Sequence, residues 1–391
     1  MRIVFASDIS FNYMPAFQGR AAAVTAMAEP AAIFAQADFS MINLENVLGQ
    51  KEDGVPIVKS GPNLISEDGF VEYVHALKPD IVGMANNHAK DYGEEILFHT
   101  MQMLTDSGYV CIGAGRNIDE AYLPAKVERD GIRVAIIAVC ENEFGIATET
   151  EPGTAGYSLG RVAASIRQAI ADGCKPVVYF HGGNEGNPFP SPGKVELYRH
   201  FVDLGAEAVI AMHTHCPQGY EVYNGKPIVY SMGNFFFPAE NRKNLSWFYG
   251  YMSQLDIDQD GAHLTIHPYR FDYEKITILE GREREEFMMY MKQLCKPIGN
   301  FRELQSLFDS WCLIGGYIER LAQFELEYIA DGCAEEVKAM KNIFCCEAHN
   351  ELVKNTFLMI FESRMGIAAG RTDYIRGLQN MKILSSTSQQ G

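Results

Sequence analysis

Short apolar runs recur along the chain, and a polar residue follows each of them directly. Runs of this length are typical of buried β-strands. The clearest are Arg2–Ala6, Phe39–Leu44, Ile81–Ala85, Pro176–Phe180 and Ala208–Met212. The pattern therefore predicts a series of strands whose carboxyl ends lead into polar loops.

Three segments between these runs carry apolar residues at helical spacing, and each stops at a glycine, which commonly terminates helices. The segments are Leu97–Ser107, Arg161–Asp172 and Val195–Leu204, before Gly108, Gly173 and Gly205. A strand pattern follows each segment: Tyr109–Ile112, Pro176–Phe180 and Ala208–Met212. Such repetition of helix and strand predicts a layered α/β sheet.

The pattern changes twice further along the chain. Three short strand patterns with turns at Asn224-Gly225 and Asp260-Gly261 predict hairpins at a sheet edge: Ile228–Ser231, Met252–Ile257 and Leu264–Phe271. From Glu283 onward the spacing is helical in Arg284–Cys295, Phe301–Phe308, Cys312–Tyr328, Ala334–Cys346 and Asn350–Arg364. We expect an α/β domain over residues 1–280 and a helical region over 281–391, with no clustered metal ligands in that region.

Composition narrows the classes of function. The 391 residues are 47% hydrophobic and suit about two domains. A formal net charge of −17 argues against sequence-independent nucleic-acid binding and against attraction to anionic membranes. The chain contains no run of about 20 apolar residues, so we expect no membrane span. Because the chain starts on a strand pattern, we expect no signal peptide. The nine cysteines are scattered, so we expect a reducing, cytoplasmic location.

The polar residues at the predicted strand ends are of kinds that bind metals. They are Asp8, Glu45, Asn87 with its neighbour His88, His181, and the pair His213 and His215. Ligands gather outside the carboxyl ends of strands in open α/β sheets. An H-x-H pair alone is weak evidence, but adjacent strand ends would form one cluster of carboxylates, imidazoles and an amide. Such a cluster predicts a two-metal site.

Each of these residues also has a structural explanation. Asp8 could cap a helix, Glu45 could be a solvated loop carboxylate, and Asn87 could hold a turn. His88 could be a core histidine. The remaining histidines lack a motif, and we expect them to be structural or exposed: His75, His99, His200, His263, His267 and His349. The glycines around Ala114 match no common phosphate loop and predict a turn.

Five segments resemble the CapA family of capsule and poly-γ-glutamate synthesis proteins. They are Asn43-Leu44-Glu45, Ala85-Asn86-Asn87-His88 with Asp91-Tyr92-Gly93, His181-Gly182-Gly183-Asn184-Glu185, His213-Thr214-His215, and Lys226-Pro227-Ile228-Val229-Tyr230-Ser231-Met232-Gly233-Asn234-Phe235. That family is similar to the calcineurin-like metallophosphoesterases. The resemblance implies a four-layer α-β-β-α sandwich with a dinuclear metal site at one end, followed here by a C-terminal α-helical extension.

The resemblance also implies a role for individual residues. Asp8 and His215 would serve one metal, Asn87, His181 and His213 the other, and Glu45 would bridge them. His88 would be the general acid. Asp91 would orient His88 or fix its loop. Glu185 would contact substrate or form a salt bridge, and Asn234 would contact substrate or belong to a turn with Gly233.

Two positions depart from the related families. Ser10 stands where the wider superfamily usually has a histidine, so the first metal site lacks a nitrogen ligand and could be weakly filled. Gly182 replaces the tryptophan that follows the first histidine of the family's H-W-G-x-E segment. We expect this glycine to open or reshape the substrate pocket.

Three functions remain open at this point. The first is metal-dependent hydrolysis or transfer at phosphoester, amide or γ-glutamyl bonds, with two divalent ions such as Mn, Zn or Fe. The second is metal-dependent epimerisation of a peptide. The third is a non-catalytic, metal-stabilised binding subunit of a synthesis complex. The expected partners are a small-molecule, peptide or polymer substrate, and further copies of the chain through the C-terminal helices.

Overall fold

The computed structural model describes residues 1–239, 242–317 and 335–381. Within them the chain forms 18 strands: β1 (Arg2–Ile9), β2 (Phe39–Leu44), β3 (Val47–Leu48), β4 (Ile65–Ser66), β5 (Ile81–Gly83), β6 (Val110–Ile112), β7 (Ala114–Gly115), β8 (Ala125–Arg129), β9 (Ile132–Cys140), β10 (Gly153–Thr154), β11 (Lys175–His181), β12 (Ala208–Met212), β13 (Tyr220–Tyr223), β14 (Lys226–Val229), β15 (Asn234–Phe236), β16 (Tyr249–Ile257), β17 (Ala262–Phe271) and β18 (Ile276–Ile278).

The helices in the same part of the chain are α1 (Arg20–Phe34), α2 (Val71–Leu77), α3 (Gly93–Asp106), α4 (Ile118–Ala121), α5 (Leu159–Ala171), α6 (Pro192–Asp203), α7 (Gly281–Cys295), α8 (Phe301–Ile314), α9 (Glu335–Cys345), α10 (Glu347–Phe361), α11 (Met365–Ala369) and α12 (Thr372–Gln379). Most of the helix predicted over Cys312–Tyr328 lies outside the described residues. None of the described helices has both the length and the apolar character needed to cross a membrane.

Two large sheets form the centre of the molecule. The first has the order β18-β17-β16-β1-β2-β5-β6, with β15 also paired to β1. The second has the order β13-β14-β12-β11-β9-β8. The parallel strands have antiparallel strands on one side in the first sheet and on both sides in the second. The two turns predicted at Asn224-Gly225 and Asp260-Gly261 connect β13 to β14 and β16 to β17. The predicted hairpins at the sheet edges are confirmed.

Alternate residues of β1 face opposite layers, as the two-residue period of a strand requires. Ile3 and Phe5 face the second sheet, where the rings of Phe5 and Tyr179 lie 5.9 Å apart. Val4 packs in the other core, together with Met27 of α1. Helices α5 and α6 cover the far face of the second sheet. The expected four-layer sandwich is therefore confirmed.

The C-terminal helices predicted from the sequence are present and pack on this sandwich. Helix α8 lies against α6, and Glu351 of α10 accepts hydrogen bonds from Ser191 Oγ (2.5 Å) and the backbone N–H of Gly193 (2.9 Å) at the start of α6. Helix α7 begins at Gly281. The division into domains at residue 280 stays a prediction.

Candidate metal centre

The parallel strands of the two sheets end side by side and bring the polar strand-end residues together. Asp8 lies opposite Asn43 in the first sheet, and His181 lies opposite Met212 in the second. Two groups of residues result, and in each group one potential ligand atom per residue lies within 4.8 Å of the others. The first group is Glu45, His181 and His213, and the second is Asp8, Glu45 and His215. Glu45 belongs to both groups, which is the arrangement that a bridging carboxylate requires.

The first group converges on one ring nitrogen. His181 Nε2 lies 2.9 Å from His213 Nδ1, 3.1 Å from Asn87 Oδ1 and 3.6 Å from Glu45 Oε1. Two imidazole nitrogens and two oxygens in such proximity form the mixed donor set that transition metals prefer. The structure thus gathers the residues assigned to one metal from four separate segments.

The second group is held by hydrogen bonds around Asp8. Its two carboxylate oxygens accept from Asn43 Nδ2 (2.8 Å) and from the backbone N–H of His213 (3.0 Å). His215 Nε2 lies 3.8 Å from Glu45 Oε1, while its Nδ1 lies 2.8 Å from Asn234 Oδ1. Such bonds to the second ring nitrogen fix the orientation of a ligand histidine.

The sequence left two places open for Asn234, a substrate contact or a turn with Gly233, and the structure puts it at the start of β15. Its side chain is fully buried, and its Nδ2 donates to the carbonyl of Trp247 at 3.2 Å. The geometry gives it a role in orienting His215. Glu185, in contrast, lines the cavity described below, and its half-exposed carboxylate lies 3.9 Å from His215 Nε2.

The hydrogen bonding of Glu45 shows whether this donor set fits a metal. The residue is fully buried, and neither carboxylate oxygen has a hydrogen-bond partner among the described residues. Burial, followed by the negative charges of Asp8, Glu185 and Glu143, raises the pKa of Glu45 well above its ordinary value. Burying such a group without a partner is costly. A pair of cations at the two donor groups would supply the missing partners.

The backbone at His213 and His215 is also unusual. His213 has φ 94° and His215 has φ 55°, both in the region that favours glycine. Residues two apart on a regular strand share a face, but here the chain has already left β12, and the turn carries one histidine to each donor group. Strained backbone of this kind concentrates at functional sites.

His88 lies beside the donor groups in a buried polar triad. Its Nδ1 is 2.6 Å from Asp91 Oδ2 and 3.1 Å from Lys59 Nζ, and Lys59 donates to the other oxygen of Asp91 at 2.5 Å. Asp91 Oδ2 also accepts from the backbone N–H of Leu64 at 2.6 Å. Asp91 thus orients His88, while Lys59, in a loop without a periodic pattern, had no signal in the sequence.

One cavity of about 330 Å³ is lined by part of the triad, Lys59 and His88, and by part of the first donor group, Asn87 and His213. The sandwich contributes Lys59, His88, Glu185 and His213 to its lining, among other residues. The C-terminal helical region contributes Trp311, Tyr317, Asn342, Cys346, His349 and Leu352. The helical region therefore forms one wall of the site.

One expectation from the sequence is wrong at this wall. The helical region is not without clustered metal-competent residues, since its Cys346 and His349 group with Glu143. His349, expected to be structural or exposed, lines the cavity. A histidine on a helix carries no local sign of the loop against which the helix packs, so the pattern could not reveal this cluster.

Of the two effects expected of Gly182, opening or reshaping the pocket, the structure does not show the first, because the space beside the glycine is filled. A Cβ atom at this position would lie 2.5 Å from Glu141 Cγ and 2.7 Å from Phe180 Cε1. Glu141 fills this space, and its carboxylate pairs with Lys194 and accepts from the backbone N–H of Gly183. The glycine makes room for a buried ion pair.

Ser10 is the other departure from the related families. Its side chain is buried next to the strand end that carries Asp8, and its Oγ has no hydrogen-bond partner in the part of the chain that the structure describes. The donor group of Asp8, Glu45 and His215 therefore contains one nitrogen ligand.

A known protein family covers more than half of the chain. Residues 3–239 match the family described as bacterial capsule synthesis protein PGA_cap. The chain belongs to this family. The match includes every member of the two donor groups and ends before the C-terminal helices.

Relatives of this PGA_cap protein carry related names. The capsule biosynthesis protein CapA of Bacillus anthracis is 29% identical over 196 residues, which cover 49% of this chain and 44% of the relative. The PGA biosynthesis protein CapA of Bacillus subtilis (strain 168) is 27% identical over 211 residues, covering 52% and 54%. The chain thus spans about half the length of the curated relatives it matches.

Solved structures with a similar arrangement include two nucleotidases. The 5'-nucleotidase precursor from Thermus thermophilus is 14% identical, with a TM-score of 0.41 and coverage of 75% of this chain and 58% of that chain. The NAD nucleotidase of Haemophilus influenzae is 12% identical, with a TM-score of 0.41 and coverage of 75% and 56%.

Proposed function

We propose that this PGA_cap protein is a metal-dependent hydrolase or transferase that acts on a phosphoester, amide or γ-glutamyl bond during capsule or poly-γ-glutamate synthesis. The observation that carries the proposal is the pair of donor groups that share the unpartnered carboxylate of Glu45. The names of the relatives support the polymer context. A cytoplasmic location and oligomerisation through the helices stay predictions.

Asp8, Glu45 and His215 would hold one divalent cation, and Glu45, Asn87, His181 and His213 the other, with Mn, Zn or Fe as candidates. When bound, such a pair supplies Lewis acidity and makes a water molecule acidic enough to attack near neutral pH. Asn43 and Asn234 orient ligand side chains. The protein's own contribution is this positioning.

His88 is the residue we assign to proton transfer. Asp91 holds its Nδ1, and the residue lines the cavity, so Nε2 remains for a substrate. A histidine held in this way can protonate a leaving group, which typically contributes about 10²- to 10⁴-fold to a rate. Lys59 completes the triad by neutralising Asp91.

The cavity limits the size of the substrate. Its volume of about 330 Å³ lies at the lower end of the roughly 300–1,000 Å³ typical of small-molecule sites. A small molecule, or one end of a peptide or polymer, fits this volume. Glu185, which is half exposed at the cavity, is the residue we assign to substrate contact.

Metal content and turnover test the proposal together. Elemental analysis of the wild type after reconstitution with Mn²⁺ or Zn²⁺ should give about two equivalents, and a variant with His213→Ala and His215→Ala should lose them. Phosphoester, amide and γ-glutamyl model substrates should then be turned over by the wild type and not by His88→Ala. A wild type that binds no metal, or a His88→Ala variant with full activity, would contradict the proposal.

Epimerisation of a peptide is the second candidate. It is favoured by the contact between Lys59 Nζ and His88 Nδ1 at 3.1 Å, which places a base, the His88 imidazole, and a proton donor, the Lys59 ammonium, at one cavity. Removal and return of a proton next to a carbonyl would use both. Deuterium uptake into a peptide from heavy water without bond cleavage would favour this reaction over hydrolysis.

A non-catalytic binding subunit is the third candidate, and Ser10 is the observation that favours it. The first donor group has only one nitrogen ligand, and the Ser10 hydroxyl beside it is buried without a partner among the described residues. Loss of partner binding in the His213→Ala variant, with no turnover by the wild type on any model substrate, would favour this role.

A further inference from the structure

A continuous set of polar contacts connects the metal centre to the C-terminal helices. Asn87, whose Oδ1 faces His181, donates through Nδ2 to Glu143 Oε2 at 2.7 Å. Glu143 Oε1 accepts from Asn342 Nδ2 at 3.0 Å and lies 3.7 Å from His349 Nε2. Asn342 belongs to α9 and His349 to α10. Both lie outside the residues that match the family.

The contact with Glu143 decides which end of the Asn87 amide points to the donor groups. An asparagine side chain can present either its oxygen or its NH₂ group after a rotation, and only the oxygen can bind a cation. A carboxylate accepts hydrogen bonds and cannot donate them when ionised. With Nδ2 bound to Glu143, Oδ1 is left for His181 and for a metal.

Glu143 lies in a loop after β9, and residues from outside the sandwich contact its carboxylate. Asn342 and His349 supply these contacts to a single oxygen, Oε1, which leaves Oε2 for Asn87. Tyr317 contacts the other ring nitrogen of His349 through its hydroxyl. The orientation of a metal-binding amide therefore depends on the packing of the helical region.

We propose that the C-terminal helical region is part of the metal centre, with His349 and Asn342 acting as positioning residues that fix Asn87 through Glu143. The inference rests on the proposed metal-dependent function, because it concerns one of the two cations. Loss of partners that orient a ligand typically weakens metal binding by roughly 10- to 100-fold. We expect this loss at one cation per chain, since Asp8 and His215 have no part in these contacts.

The test measures binding of Mn²⁺ to the metal-free full-length protein by calorimetric titration and electron paramagnetic resonance, without any substrate. His349→Ala and Asn342→Ala should each weaken the binding of one of the two Mn²⁺ equivalents. The variant that carries both substitutions should bind this equivalent about 10- to 100-fold more weakly than the wild type. His349→Gln, which keeps a side-chain N–H donor, should restore part of the affinity. Asn350→Ala is the matched control, because this neighbour on α10 contacts the carbonyl of Phe344 instead.

A double-mutant cycle separates this role from a general loss of structure. If His349 acts through Glu143, adding His349→Ala to Glu143→Ala should cause no further loss of Mn²⁺ affinity. Additive losses, or single variants that bind Mn²⁺ like the wild type, would overturn the inference while leaving the proposed function intact. A wild type that binds no Mn²⁺ or Zn²⁺ would overturn both. Circular dichroism of each variant checks that it is folded.

Discussion

Replacing Glu45 by glutamine is expected to stabilise the metal-free protein and to abolish binding of the metal pair. The carboxylate is fully buried, neither oxygen has a partner among the described residues, and the charges nearby include Asp8, Glu143 and Glu185. Glutamine keeps the shape of the side chain and removes the charge. The buried carboxylate lowers the free energy of unfolding of the metal-free wild type, and the variant avoids most of this loss.

The size of the effect follows from the burial. Glutamine still buries an amide without partners, which costs about 1–3 kcal/mol. It avoids the cost of neutralising the carboxylate, which is about 1.4 kcal/mol for each pH unit above the ordinary pKa of the group. We therefore expect the free energy of unfolding of the metal-free Glu45→Gln variant to rise by about 1–3 kcal/mol. With an unfolding entropy of about 2 cal/mol/K per residue over 391 residues, the melting temperature should rise by roughly 1–4 °C.

The assay is thermal unfolding with and without Mn²⁺. A ligand at about 100 times its Kd stabilises a protein by about 2.7 kcal/mol. When metal is added, the wild type should therefore melt at a higher temperature than the variant. Glu128→Gln, at an exposed position of β8, is the matched control. It should leave the melting temperature nearly unchanged both with and without Mn²⁺. A metal-free variant that melts below the wild type, or one that still binds two equivalents, would refute the reasoning.

Three further predictions concern groups around the site, each measured by urea unfolding against the wild type. Lys59→Met leaves the buried Asp91 carboxylate without its cation and should lower the free energy of unfolding by about 3–5 kcal/mol; an unchanged value would mean that the pair is not coupled. Gly182→Ala should cost about 1–3 kcal/mol, because its Cβ would meet Glu141 at 2.5 Å; a stabilised variant would show that the loop yields freely. Glu351→Ala removes the acceptor for two donors at the start of α6 and should cost about 1–3 kcal/mol, whereas no loss would mean that α10 is held elsewhere.

Local patterns in the sequence predicted most of the sandwich. The strand expected over Ala208–Met212 has these bounds in the structure, and the three helices expected to stop at glycines end within two residues of them. These features are local, because the apolar period reflects which face of a segment is buried and glycine permits the chain to leave a helix. The bounds of the C-terminal helices were less accurate, since α8 continues to Ile314.

The candidate metal residues could also be proposed from the sequence, because each follows an apolar run. That pattern places a side chain at the end of a strand, and parallel strands end at the same edge of a sheet. The pattern of apolar and polar residues did not show which donor atoms face each other. The turn at His213 and the hydrogen bond that directs Asn234 to His215 became visible only in three dimensions.

The amino-acid sequence by itself determined the layers, the strand ends and the kinds of donor atoms that meet there. Tertiary structure alone decided that Glu141 fills the space beside Gly182 and that α9 and α10 contact Glu143, which accepts a hydrogen bond from Asn87. Asn342 and Glu143 are 199 positions apart. Periodicity shows that a face is buried but not what buries it, because contacts between distant segments depend on how whole elements pack.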